Sequence, residues 1–160
     1  MSFISLGSDP GLSSPAVGII ERSSKGWALL DSPVLRSLDD LMSYLADCPF
    51  DVKCCSAENV SWMFTPGAAK GGVKSQYGSA DILRVNGAVQ LFATQRRIPF
   101  VEVMPATWRK RITGSGRASK RQVREWVKRM VRGVPERIGL DRSDSIAIAI
   151  AGATQPGARR

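Results

Sequence analysis

Four acidic residues, Asp9, Glu58, Asp141 and Asp144, stand where carboxylates can do chemistry. Asp9 closes an apolar run that begins at Phe3, within the turn sequence Gly7-Ser8-Asp9-Pro10-Gly11. Glu58 closes a second such run, Val52-Lys53-Cys54-Cys55-Ser56-Ala57. Asp141 and Asp144 are three residues apart at the start of a predicted helix, so they project from one face. By themselves these two also suit a helix N-terminus, where the dipole favours negative charge. A carboxylate at the lip of a buried strand is costly unless something pairs with it. Four of them make an all-oxygen cluster of the kind that hard cations such as Mg²⁺ or Mn²⁺ prefer. Without a cation their charges repel, and some must take up protons. Two cations in such a cluster activate water and steady an in-line phosphoryl displacement. The chain has no histidine, which removes His-ligated zinc, Ser-His-Asp triads and an imidazole base from consideration.

The charge distribution points the same way. The net charge is +9 over 160 residues. From Arg96 to Arg137 there are 13 Lys/Arg against 3 Asp/Glu; the rest of the chain holds 10 basic and 11 acidic residues. A block of one sign raises the local concentration of anions and is a footprint for nucleic acid or an anionic membrane. A generic solvated basic face is the plainer alternative. Three cysteines, Cys48, Cys54 and Cys55, form no even framework and no Cys-x-x-Cys pair. They read as small apolar residues in a reducing, cytoplasmic setting. No apolar stretch is long enough to span a bilayer, and the N-terminus lacks a signal-peptide layout.

The elements that must position these residues follow from periodicity and turn chemistry. Strands are predicted over 2–7, 15–21 and 27–31, with Pro10-Gly11 and Ser23-Ser24-Lys25-Gly26 as turns. Leu35, Leu38, Leu41, Met42 and Leu45 recur at helical spacing, which predicts a helix over 36–46. A strand over 52–58 ends in Glu58. Residues 65–78 carry four glycines and no periodicity, and read as a loop. A helix over 79–95 shows a stripe of Ile82, Val85, Val89 and Phe92, widened by Leu83, Ala88 and Leu91; it suits the core, and part of it suits a dimer. A strand over 98–103 precedes a short helix that starts at Pro105. Ser119 and Gln122 form a capping box for a helix whose buried stripe is Val123, Val127, Met130 and Val131. A last helix, 141–151, is packed by Ile146, Ala147, Ile150 and Ala151.

The order β-β-β-α-β-α-β-α-α makes an α/β architecture, with a mixed five-stranded sheet covered by helices on both faces. Length suggests one domain, 1–154, with a flexible tail over 155–160.

Gly7-Ser8-Asp9-Pro10-Gly11, Glu58 at the end of the fourth strand, Lys120-Arg121-Gln122-Val123, and Asp141-x-x-Asp144-x-Ile146-Ala147-Ile148-Ala149 together resemble the RuvC family of Holliday junction resolvases. The likeness runs from about Phe3 to Gly152. It implies a ribonuclease H-like fold, a homodimer and metal-dependent paired nicking of four-way DNA junctions. It implies that Asp9, Glu58, Asp141 and Asp144 hold two Mg²⁺ ions per active site, with Mn²⁺ as a substitute and no organic cofactor. Lys120 is implied as a catalytic, phosphate-binding base, with another near Arg109 or Lys110. The DNA-binding set expected from the basic segment and the glycine loop is Arg109, Lys110, Arg111, Arg117, Lys120, Arg121, Arg124, Lys70 and Lys74. Where the family often carries a base-stacking aromatic, this chain has Ser61, with Trp62 and Phe64 beside it; either could stack on a junction base, and Trp62 equally suits a core or a dimer. At the first family lysine position stands Arg109, which keeps a phosphate contact but not a deprotonatable amine.

Three other functions compete with the nuclease. One is a junction-binding module of the same fold without catalysis, which has no use for four acids beside phosphates. Another is an actin-like ATP-binding relative, for which the chain is too short to form two lobes. A membrane-surface role is the third, and the basic helix lacks the bulky exposed anchors it needs. The expected setting is a bacterial nucleoid or an infected host's cytoplasm, with cellular and viral sources both open.

Overall fold

The computed structural model describes residues 2–11, 14–60, 76–156 and 158. β1 (Phe3–Asp9) and β2 (Ala16–Ser23) pair antiparallel from Phe3↔Arg22 to Asp9↔Ala16, and β3 (Gly26–Asp31) extends the meander. On the other side of β1, β4 (Cys54–Glu58) runs parallel to it, and β5 (Phe100–Val103) runs parallel to β4. α1 (Leu38–Ala46) joins β3 to β4, and α2 (Gln76–Gln95) joins β4 to β5. α3 (Pro105–Thr113), α4 (Lys120–Met130) and α5 (Leu140–Ala153) follow.

Among the described residues the sheet has six strands, not five, in the order β5-β4-β1-β2-β3-β6. The extra strand, β6 (Val131–Arg132), pairs parallel with Trp27 and Ala28 of β3. Helical spacing from Val123 and Val127 predicts that these residues continue α4 with Val131 in its buried stripe, and Val131 is indeed buried. Instead Val131 is extended, with φ −116° and ψ 120°, so its side chain reaches the core from a strand. Met130, expected in the same stripe, is 48% exposed on the last turn. The capping box at Ser119 and Gln122 forms as expected, with both reciprocal hydrogen bonds present.

Helices cover both faces. α1 and α2 pack Leu41, Leu45, Val85 and Val89 against Leu6, Val17 and Ile19. On the other face α3, α4 and α5 pack Trp108, Val123, Val127, Ile146 and Ile148 against Ile20. The stripe of α2 is narrower than expected: Leu83 and Leu91 are 49% and 52% exposed, because they lie on the flank turned from the sheet. No described helix is long and apolar enough to cross a membrane.

α5 is the helix on which the site depends. It is buried on every side from Ser143 to Ala153, which explains its Ala/Ile composition. Gly7 on β1 and Gly18 on β2 let it come close. A Cβ at Gly7 would fall on the backbone of Ser145 and Ala149, and one at Gly18 would meet Ile146. Ser5 Oγ donates to Ala149 O at 3.0 Å, and Ser56 Oγ to Ile148 O at 3.0 Å, tying strand to helix across this contact.

Candidate active site

Parallel pairing decides where the two strand-end acids meet. Ser8 stands opposite Ala57 in the β1–β4 ladder, so Asp9 and Glu58, one residue further on each strand, leave the sheet at the same edge. The Asp-Pro-Gly turn then fixes the first of them. Gly11, with φ +43°, donates its N–H to Asp9 Oδ1 at 3.2 Å, an Asx-type turn that leaves Oδ2 aimed away from the chain reversal.

The close seating of α5 brings its first turn to the same edge. Lys120, the first residue of α4, completes the cluster. Its Nζ lies 2.5 Å from Asp141 Oδ1, 3.3 Å from Asp144 Oδ2 and 3.6 Å from Asp9 Oδ2. Glu58 stands at the margin, where its Oε2 accepts a hydrogen bond from Trp108 Nε1 at 2.9 Å. The first turn of α5 is itself held from outside: between the two aspartates, Arg142 donates from Nε to Ser32 Oγ at 3.1 Å and from Nη2 to Ser32 O.

Burial and charge set the protonation. The Asp144 side chain is 2% exposed, and burial pushes its carboxyl up to about 7 although the Lys120 charge pulls the other way. Burial also raises Asp9, against the pull of Lys120 and the Gly11 N–H, and raises Glu58, against the Trp108 hydrogen bond. Burial works against the charge on Lys120, yet the hydrogen bond to Asp141 and the charges of Asp9 and Asp144 more than offset it. Its ammonium is held well above the usual lysine range.

Among the described residues no three His, Cys, Asp or Glu side chains form a ready-made metal-ligand group, and an ammonium sits between the acids instead. The cluster nevertheless fits a hard cation. Its donors are all carboxylate oxygens, and Asp144 Oδ1 is buried with no hydrogen-bond partner.

The basic residues are not all alike. Arg109 is half-buried, with its guanidinium 4.9 Å from the centroid of the Trp108 ring and its Nε buried without a partner. Arg111 is exposed at α3 but spends one N–H on Ala151 O at 2.8 Å, fastening α3 to α5. Lys110 and Arg111 line an open groove with Ala106, Thr107 and Gly116. Arg117 and Arg121 are exposed; Arg124 is partly covered and pairs with Glu125 at 3.4 Å. Trp62, Phe64, Lys70 and Lys74 lie outside the described residues.

Two participants are not readable from spacing alone. Trp108 is fully buried and ends on the carboxylate of Glu58. Asn86 donates to Glu58 O at 3.0 Å and steadies the end of β4. The sequence signal for Asn86 is a polar residue one helical turn after Ile82, between Val85 and Val89 of the buried stripe.

The family model described as crossover junction endodeoxyribonuclease RuvC matches residues 5–152. A protein of that name from Chloroherpeton thalassium is 31% identical over 154 residues, covering 93% of this chain and 81% of its own. The structure of Thermus thermophilus RuvC superposes with a TM-score of 0.71 at 17% identity, covering 94% of this chain and 92% of that one. The same protein in complex with a Holliday junction substrate gives a TM-score of 0.73 at 16% identity, with the same coverage.

Proposed function

Because this chain belongs to the RuvC family of crossover junction endodeoxyribonucleases, we propose that it is a structure-specific endonuclease that resolves four-way DNA junctions by paired nicking, as a homodimer with Mg²⁺. The observation that carries the proposal is the convergence of Asp9, Asp141 and Asp144 on one point, with Glu58 at its edge, beside the basic helices α3 and α4. The solved complex of the Thermus relative with a Holliday junction supports branched DNA as the substrate.

Asp9, Glu58, Asp141 and Asp144 would hold two Mg²⁺ ions, with Mn²⁺ able to substitute. When bound, these ions supply charge stabilisation at the attacking and leaving oxygens of the scissile phosphodiester. The remaining work belongs to the chain. Arg109, Lys110, Arg117, Arg121 and Arg124 draw in phosphates and orient the strands, with release of condensed counterions. Arg111 combines that task with bracing α3 on α5. Lys120 neutralises Asp9, Asp141 and Asp144, and with a cation held by those acids its ammonium would be available for a phosphate. The buried setting of Asp9 and Asp144 keeps bulk water from competing for their oxygens. Trp62 or Phe64 is proposed to stack on an unpaired base, with Lys70 and Lys74 as further phosphate contacts. A dimer through α2 is supported by the exposed row Leu83, Gly87 and Leu91, four residues apart, where glycine allows close helix approach. Action in the cytoplasm agrees with three free cysteines, all buried.

The test is cleavage of a four-way junction with Mg²⁺ present, in competition with a flap, a replication fork and linear duplex. The junction should be cut preferentially, on paired strands. Asp9→Asn and Asp144→Asn should stop scission while junction binding persists. Retained cutting by either variant removes the mechanism.

A further inference from the structure

α3 begins two residues after β5 and packs on α5 and α4, and Trp108, one turn into the helix, reaches Glu58 at the end of β4. The indole is fully buried, and its N–H points at Oε2 of Glu58 at 2.9 Å. A buried Trp needs an acceptor for its N–H, and a backbone carbonyl usually serves. Here the acceptor is a carboxylate of the candidate active site. The opposite side of the contact is ordered too: the Arg109 guanidinium lies over the ring face, 4.9 Å from its centroid. A cation on the face and an anion at the N–H edge match the charge distribution of the indole.

We propose that Trp108 is a positioning residue: its N–H holds one oxygen of Glu58, so that the other is presented toward Asp9 for a divalent cation. The proposal rests on Glu58 being a metal ligand. A neutral donor of fixed direction orients a ligand carboxylate without competing for the metal as a cation does. Outer partners of this kind commonly alter metal affinity by ~10–100-fold. Trp108 also reaches Arg109 through its ring, so the same side chain that aims Glu58 seats one residue of the basic segment.

Trp108→Phe keeps most of the core volume and removes the N–H. Calorimetric titration of Mn²⁺ into the DNA-free protein should show affinity ~10-fold or more weaker in Trp108→Phe than in the parent, and also weaker in Glu58→Gln. A second measurement needs no Trp108 variant to fold. The chain has four tryptophans, so the Trp108 indole resonance can be assigned by elimination with Trp27→Phe, Trp62→Phe and Trp126→Phe. In Glu58→Gln that resonance should move upfield, because a neutral amide oxygen accepts more weakly than a carboxylate. If the parent binds Mn²⁺ and Glu58→Gln weakens it, while folded Trp108→Phe binds as the parent does, the positioning role is wrong and the nuclease reading stands. An indole resonance indifferent to Glu58→Gln overturns it as well. If the parent binds no Mn²⁺ and Glu58→Gln changes nothing, the metal site itself is wrong and the positioning role falls with it.

Discussion

The ammonium of Lys120, at the first position of α4, lies 2.5 Å from Oδ1 of Asp141, in the first turn of α5. The contact joins two helices whose N-termini would otherwise present like potentials to each other. It also neutralises part of a cluster that burial alone makes unfavourable, since the same ammonium reaches Asp9 and Asp144. Lys120 therefore occupies the position that a divalent cation would contest.

Removing that ammonium should have opposite consequences with and without metal. In chelator-treated protein, Lys120→Met should lower stability by roughly 1–2 kcal/mol, a modest figure because the side chain is 43% exposed. Added Mg²⁺ should then raise the melting temperature more in the variant than in the parent, because no internal cation competes. On an Asp9→Asn background, which keeps the junction uncut, Lys120→Ala should make the slope of log affinity against log salt shallower by about 1. An unchanged slope means that Lys120 does not touch phosphate.

Stability should fall as pH rises through the range in which Asp144 ionises. Its folded-state value, pushed up to about 7 by burial, lies above its ordinary 3.8. The folded protein thus holds a proton that the unfolded chain has released across that window, and each further rise in pH favours unfolding. Asp9 and Glu58 are raised for the same reason and add in the same direction. Lys120, whose ammonium is held above its usual range, contributes stability that is complete below that range and lost only at higher pH. Urea denaturation with chelator should therefore show a decline between about pH 4 and pH 7, and Asp144→Asn should recover roughly 2–4 kcal/mol at neutral pH. A flat profile in the parent contradicts the burial of Asp144.

Gly7→Ala should cost about 3 kcal/mol or more, because the new methyl would meet backbone atoms of Ser145 and Ala149 that cannot rotate aside. The same methyl at Gly139, where nothing lies within 4 Å, should cost under about 1 kcal/mol. Chemical denaturation of the two variants side by side separates close helix packing from loss of glycine as such. Equal effects would remove the account of how α5 is seated.

Leu83→Arg and Leu91→Arg should each leave the fold intact, since both side chains are about half exposed in the single chain. Each should shift sedimentation from dimer toward monomer and replace paired nicking by single, uncoordinated cuts. A variant that stays dimeric places the subunit contact elsewhere than on α2.

Local chemistry was legible in the sequence by itself. Apolar runs and their turns marked β1 to β5; Ser119 and Gln122 marked the start of α4; the Asp-Pro-Gly turn marked Asp9 as a strand-end acid. Each of these depends on neighbours a few residues away, through backbone dihedrals, capping hydrogen bonds and periodicity. Spacing also put Asp141 and Asp144 on one helix face. Only the tertiary structure decided that Asp9 and Glu58 leave the sheet at one edge, because that follows from parallel β1–β4 pairing. It also decided that Gly7 admits α5 to contact distance, that Lys120 reaches three carboxylates, and that Trp108 ends on Glu58. The sixth strand and the exposure of Leu83, Leu91 and Met130 belong here too. A periodic stripe states which residues can be buried, whereas the neighbours supplied by distant segments determine how much of it is covered.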